Sequence, residues 1–208
     1  MKIKVCGMRD AENIRAVETL GIDYMGFIFW PRSARYVGEV PAYLPEQCKR
    51  VGVFVDASPE DILASTESFR LDCIQFHGNE SPGTIAAVRK MVSSVNPSIS
   101  IIKSLPIAEA EDLRQAEPYE DVCDAFLFDT KGKLPGGNGR QFDWSVLQEY
   151  GGSLPFLLSG GISPEDADRI KVFQAPGFIG IDLNGRFEIN PGLKDLSALK
   201  KFIEQLKQ

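Results

Sequence analysis

A single histidine stands among the 208 residues, and the four cysteines, at 6, 48, 73 and 123, show no C-x-x-C spacing. With no second imidazole and no thiol pair, the familiar zinc constellations have no ligand set to draw on, so no metal is expected. The even cysteine count permits disulfides. However, the N-terminus Met1-Lys2-Ile3-Lys4-Val5-Cys6 lacks the apolar run of a secretory signal, and a reducing cytoplasm, the expected location, keeps thiols free. No stretch approaches the ~18 uninterrupted apolar residues that suggest a membrane span. Nor is there a Lys/Arg cluster in a chain of formal net charge -6, so neither nucleic acid nor an anionic membrane is an expected partner. Also missing is a G-x-G-x-x-G after the first strand-like run, the usual signature of a dinucleotide-binding open sheet.

What is present is a repeating alternation. The chain is 43% hydrophobic and 25% charged, enough apolar material for one core and too short for two ordinary domains. Strand-like runs fall near 2–6, 23–28, 50–55, 72–76, 99–103, 124–128, 155–158 and 177–181. Helix-length segments lie between them. Asp10 is placed to cap a helix that turns Ile14, Val17 and Leu20 to one face and stops at Gly21, and Ile85, Val88 and Val92 mark another. Ser-Pro-Glu-Asp occurs at 58–61 and at 163–166, each time with serine as N-cap and proline at the first helical position. Strand and helix alternate throughout, which predicts a small α/β (β/α)8 TIM barrel spanning 1–208 as a single domain, with a doubly wound sheet as its competitor.

Such barrels place their chemistry at the carboxyl ends of the strands. Cys6 closes the first run and Asp129 the sixth, a thiol and a carboxyl that can act as base and acid. Strand parity puts Lys4 on the face of Cys6, where an ammonium would favour the thiolate; the plain alternative is a small buried hydrophobe. Asp129 opens a long glycine-rich loop, Gly136-Gly137-Asn138-Gly139 included, that ends at Phe142-Asp143-Trp144. Because Asp143 is the better cap there, Asp129 has no structural duty left. Ser159-Gly160-Gly161 follows the seventh run and leads to a helix start, and Asp182-Leu183-Asn184-Gly185-Arg186 follows the eighth. Bare amides after strands seven and eight are a frequent phosphate grip in barrels. Arg35, in the loop after the second run, can take a carboxylate in a forked pair, and His77 ends the fourth run as a hydrogen-bonding wall residue.

The chain also resembles a known family, the phosphoribosylanthranilate isomerases of tryptophan biosynthesis. The likeness rests on Lys4-Val5-Cys6-Gly7, Gly26-Phe27-Ile28-Phe29, Ser33-Ala34-Arg35-Tyr36-Val37, Val51-Gly52-Val53-Phe54-Val55, Gln75-Phe76-His77-Gly78, Gly136-Gly137-Asn138-Gly139 with Phe142-Asp143-Trp144, Ser159-Gly160-Gly161 and Pro191-Gly192-Leu193-Lys194-Asp195. The resemblance implies a phosphate-binding barrel without metal or cofactor, monomeric or homodimeric, acting on a phosphorylated small molecule. By it, Cys6 matches the general base and Asp129 the general acid. Arg35 faces the anthranilate carboxylate, and Lys4, His77 and Asp182 complete the substrate-binding set. Gly160, Gly161, Asn184, Gly185 and Arg186 hold the phosphate. Departures are Phe76 for the family's leucine, Asn138 for threonine or serine, and Asn184-Gly185-Arg186 for a Ser-Ser-Gly run. A sugar-phosphate epimerase would need more metal-binding His and Asp residues, and an indoleglycerol-phosphate synthase a catalytic lysine and glutamates at strand ends. A catalytically silent barrel that binds a phosphorylated metabolite is the reading outside the enzymes.

Overall fold

A computed structural model describes residues 1–132 and 141–208; the glycine-rich segment expected around Gly136-Gly137-Asn138-Gly139 lies outside them. Eight parallel strands close into a barrel in chain order: β1 Lys2–Cys6, β2 Tyr24–Ile28, β3 Lys49–Phe54, β4 Cys73–Phe76, β5 Ser100–Ile107, β6 Ala125–Thr130, β7 Phe156–Leu158 and β8 Phe178–Leu183. The strands are mostly apolar on both faces, as suits parallel strands covered inside and out, with Lys4, Gln75, Lys103, Ser104, Asp129 and Asp182 as buried polar exceptions. The interior is packed by Cys6, Val51, Val53, Cys73, Ile102, Leu127 and Leu157. A larger shell outside it includes Val5, Phe27, Phe54, Ile74, Phe126 and Phe128, packed under the helices. Closure comes from β1 against β8, where Lys4 is the register partner of Asp182.

The helices are α1 Ala11–Glu18, α2 Pro59–Phe69, α3 Pro82–Val92, α4 Ala167–Val172 and α5 Leu196–Lys207. The expected caps are in place. Asp10 accepts from Asn13 N at 2.8 Å, and Ser58 Oγ from Asp61 N at 3.1 Å, ahead of Pro59. At the second Ser-Pro-Glu-Asp, Ser163 caps a 3-10 turn over Pro164–Asp166 that precedes α4, and donates its N–H and Oγ–H to Asp166 at 2.8 Å.

Alternation does not hold throughout. No helix joins β2 to β3 over residues 29–48; Pro31, Pro41 and Pro45, with Gly38 between them, leave only short stretches in which a helix could propagate. The buried Glu18 carboxylate holds this connection by accepting from the amides of Glu46 and Gln47 and from Tyr43 Oη. A groove of about 570 Å³ remains between the connection and α2. After β5 and β6 the described residues make 3-10 helices, Ala110–Tyr119 and Trp144–Glu149, the first containing Pro118 and the second capped by Asp143 as expected. A short hairpin, β9 Glu188–Asn190 and β10 Leu193–Lys194, follows β8; two- and three-residue strands leave no periodic signal in a sequence.

Candidate active site

The carboxyl ends of the strands bring two groups of polar side chains together. The first stands over β1 and β8. Lys4 has no exposed surface, and its Nζ donates to Asp182 Oδ1 at 2.8 Å. Asp182 Oδ2 in turn accepts from Ser159 Oγ at 3.3 Å. Lys4 and Asp182, expected to touch substrate, therefore satisfy each other beneath the site. Cys6 is buried next to them, its sulfur leaning over Gly26 so closely that a Cβ there would stand 2.7 Å from Sγ. Only glycine at 26 leaves room for the thiol to turn inward.

The charge balance differs from the expected one. Burial pushes the Cys6 thiol above its ordinary range, and this, with the nearby Asp182 carboxylate, exceeds the opposing pull of the Lys4 and Lys194 ammonium groups. Taking a sulfur anion out of water costs more than cations already engaged by carboxylates return. Burial also works against charge on Lys4, yet Asp182 and Cys6 more than offset it and hold Lys4 protonated, above the ordinary lysine value.

Arg35 lies across the mouth in the space left by Gly7, where a Cβ would meet its Cδ at 2.7 Å. It does not present an empty fork. Its Nε and Nη2 donate to the two carboxylate oxygens of Glu188 at 2.9 and 2.6 Å, an interaction that raises the guanidinium pKa. Lys194, without exposed surface, donates to Glu188 Oε1 at 2.7 Å and to Asn184 Oδ1 at 2.8 Å. Burial depresses Lys194 below the usual lysine range, while Arg35 and Lys194 together hold the Glu188 carboxyl down against its own burial. Gly185 and Arg186 are exposed at the rim, in the 3-10 turn Gly185–Phe187. Gly160 and Gly161 take positive φ of 95° and 69°, a left-handed pair open only to glycine without strain.

The second group stands over β4, β5 and β6. Asp129 Oδ1 accepts from Thr130 N at 2.8 Å, and His77 Nε2 lies 3.4 Å from Asp129 Oδ2. Behind the imidazole, the Gln75 Nε2 amide is 3.2 Å from His77 Nδ1 and 2.9 Å from Ser104 Oγ. The loop carrying His77 is fixed by Glu80, which accepts from Asp56 N and Gly78 N and pairs with Lys103 at 3.1 Å; Lys103 also donates to Gly78 O at 2.7 Å. Sequence reasoning assigned no role to Gln75, Ser104, Glu188 or Lys194. Gln75 had a findable signal, a polar residue sharing strand parity with His77 in an otherwise apolar run. Glu188 and Lys194 had none outside the recognised Pro191–Asp195 motif.

A thiol and a carboxyl at separate strand ends, each with its own partners, suit paired proton transfers on one small molecule. Comparison with known proteins gives the family. Residues 3–205 match the family described as N-(5'phosphoribosyl)anthranilate (PRA) isomerase. The N-(5'-phosphoribosyl)anthranilate isomerases of Phocaeicola vulgatus and Parabacteroides distasonis are 51% and 49% identical, the matches covering 100% and 99% of this chain and 98% and 93% of theirs. Among solved structures, the phosphoribosyl anthranilate isomerase of Thermotoga maritima superposes with a TM-score of 0.81 at 30% identity, covering 100% of this chain and 98% of that one. A phosphoribosyl anthranilate isomerase in complex with reduced 1-(o-carboxyphenylamino)-1-deoxyribulose 5-phosphate does so with 0.77 at 29%, with the same coverage. The barrel, its strand-end thiol and carboxyl, and these matches over nearly the whole length agree: the chain belongs to the phosphoribosylanthranilate isomerase family.

Proposed function

We infer that this enzyme converts N-(5-phosphoribosyl)anthranilate to 1-(2-carboxyphenylamino)-1-deoxyribulose 5-phosphate in tryptophan biosynthesis, and that Cys6 and Asp129 perform the proton transfers. The observation that carries the residue assignment is their placement at the ends of β1 and β6, each beside partners suited to its task. Asp129, protonated, gives its proton to the ribose ring oxygen as the C1–O bond breaks, and the anthranilate nitrogen lone pair forms the Schiff base. Cys6 thiolate then takes the proton from C2, leaving the enolamine, which tautomerises to the ketone with a proton delivered to C1. Each positioned transfer contributes about 10²–10⁴-fold. Lys4 acts from beneath, as the cation that makes a buried thiolate attainable.

The phosphate end of the substrate is assigned to the amides of Gly160, Gly161 and the 183–186 loop, with Asn184, Gly185 and Arg186 in place of the hydroxyl-rich run of relatives. Arg35 takes the anthranilate carboxylate through the part of its guanidinium that Glu188 leaves open, with His77 on the opposite wall. The protein acts as one domain, in the cytoplasm, as monomer or homodimer. Generating phosphoribosylanthranilate in situ and following loss of its fluorescence tests the activity. No acceleration over the protein-free control would reject it, and a ligand-bound structure with the phosphate elsewhere would reject the assigned grip.

A further inference from the structure

Beneath His77 lies a buried amide, the side chain of Gln75. Gln75 is 1% exposed and projects into the barrel from β4. A carboxamide N–H2 has two protons to give. One is directed at Ser104 Oγ, 2.9 Å away, and the other at His77 Nδ1, 3.2 Å away. Its oxygen, Oε1, is buried without a hydrogen-bond partner among the described residues. Leaving a buried carbonyl unpaired is costly, so a specific arrangement is being held against that cost.

The consequence falls on the imidazole. A neutral histidine whose Nδ1 accepts must carry its proton on Nε2, and Nε2 is the nitrogen that faces Asp129 Oδ2 at 3.4 Å. Turning the amide over would give Oε1 to His77, force the proton onto Nδ1, and set a bare nitrogen against a carboxylate oxygen. The orientation found suits the carboxylate that Asp129 becomes once its proton has been given. We propose that Gln75 is a positioning residue that acts through His77: it fixes the Nε2–H tautomer, so that the imidazole donates to the negative charge left on Asp129 when that residue gives up its proton. This rests on the isomerase reading for its catalytic half and on geometry alone for its tautomer half.

Because the chain contains one histidine, protein labelled with ¹⁵N-histidine shows only two imidazole nitrogen signals, which belong to His77 and are told apart as Nδ1 and Nε2 by their couplings to the two ring carbon-bound protons. In unliganded wild type at a pH where the ring is neutral, the pattern of protonated Nε2 and bare Nδ1 is expected. Gln75→Met, close in shape but without the amide, should lose the fixed pattern. It should also lower kcat about ten- to hundredfold, the loss of one hydrogen bond to a charged group, with KM nearly unchanged. Gln75→Glu, which can only accept from the ring, should move the proton to Nδ1 or leave the ring doubly protonated. A wild-type spectrum with the proton on Nδ1 would overturn the proposal without any variant. So would a Gln75→Met protein whose kcat falls while its tautomer stays that of wild type, since that loss would belong to packing. Failure of the isomerase reading shows separately, as wild-type protein without turnover and with its tautomer as expected.

Discussion

The two sides of the barrel mouth are built from opposite materials. Around Cys6 stand three cations, Lys4, Lys194 and Arg35, and two carboxylates, Asp182 and Glu188, mutually bonded and nearly dry. Around Asp129 stand an imidazole and a backbone amide, with a carboxamide and a hydroxyl behind them. The contrast fits the roles proposed above for the two groups. A buried thiol becomes a base only if cations lower the cost of its anion. An acid that must hold a proton until substrate arrives is better served by neutral neighbours, because a cation in contact would strip the proton early. Charge density is thus placed where an anion has to be made and kept away from where a proton has to be stored.

The largest effects should come from removing the two groups the contrast serves. Cys6→Ser should lower kcat by about 10²–10⁴-fold or more, since a hydroxyl is a far weaker base; steady-state turnover near that of wild type would remove the thiol from the mechanism. Asp129→Asn should lose a similar factor while still binding product, because the amide keeps shape but cannot donate the proton. Substantial kcat in this variant would mean that another acid serves. Next comes the charged foundation. Lys4→Met leaves Asp182 buried and unpaired and should cost about 3–5 kcal/mol of stability in urea unfolding, and adding Asp182→Leu should restore most of it. Unchanged midpoints in both variants would mean that the pair is not the desolvated one described. Arg35→Ala should weaken product binding by about 1.5–3 kcal/mol, roughly ten- to hundredfold, and leave inorganic phosphate binding as in wild type. Equal losses for both ligands by calorimetry would place Arg35 at the phosphate.

The last expected effect is alkaline destabilisation. Burial pushes the thiols of Cys48, Cys73 and Cys123 up to about 12, about 11 and about 12, and raises Cys6 as well. An unfolded cysteine titrates near ~8.5. The folded state therefore holds protons that the unfolded state has released. This contribution is complete below about 8.5 and is lost as pH rises toward the folded values. Urea midpoints should fall between pH 8 and pH 10.5, and less steeply in a Cys48→Ala, Cys123→Ala double variant; parallel profiles would rule out the thiols as the cause.

All eight strands could be read from hydrophobic runs, because a parallel strand covered on both faces must be apolar whatever its partners are. Lys4 and Cys6 could be placed on one face by parity, yet the partner that matters, Asp182, lies 178 residues away and is brought in only by closure of β1 on β8. What the sequence could not weigh at Cys6 is burial, which pushes the thiol up against the pull of Lys4. Attraction to Lys4 is a matter of neighbours and visible in the sequence, whereas desolvation depends on everything packed around the sulfur. The connection over 29–48 shows the converse, since its three prolines spoke against a helix and alternation elsewhere obscured them. Glu188 and Lys194 sit in strands too short for any pattern, and their roles emerge only when the hairpin folds back on the mouth.

That hairpin works as a splint. Lys194 grips Asn184 of the eighth loop with one hydrogen bond and, through Glu188, the guanidinium of Arg35 with another. One ammonium thus lends rigidity to the two ends of the mouth at once, so slack introduced at either end is passed to the other. Residues at 35 and 184 are for this reason not independent choices: a change in the eighth loop such as Asn184-Gly185-Arg186 has to be compatible with the seat of an arginine from the second loop, and the two positions should drift through sequence space as a linked pair.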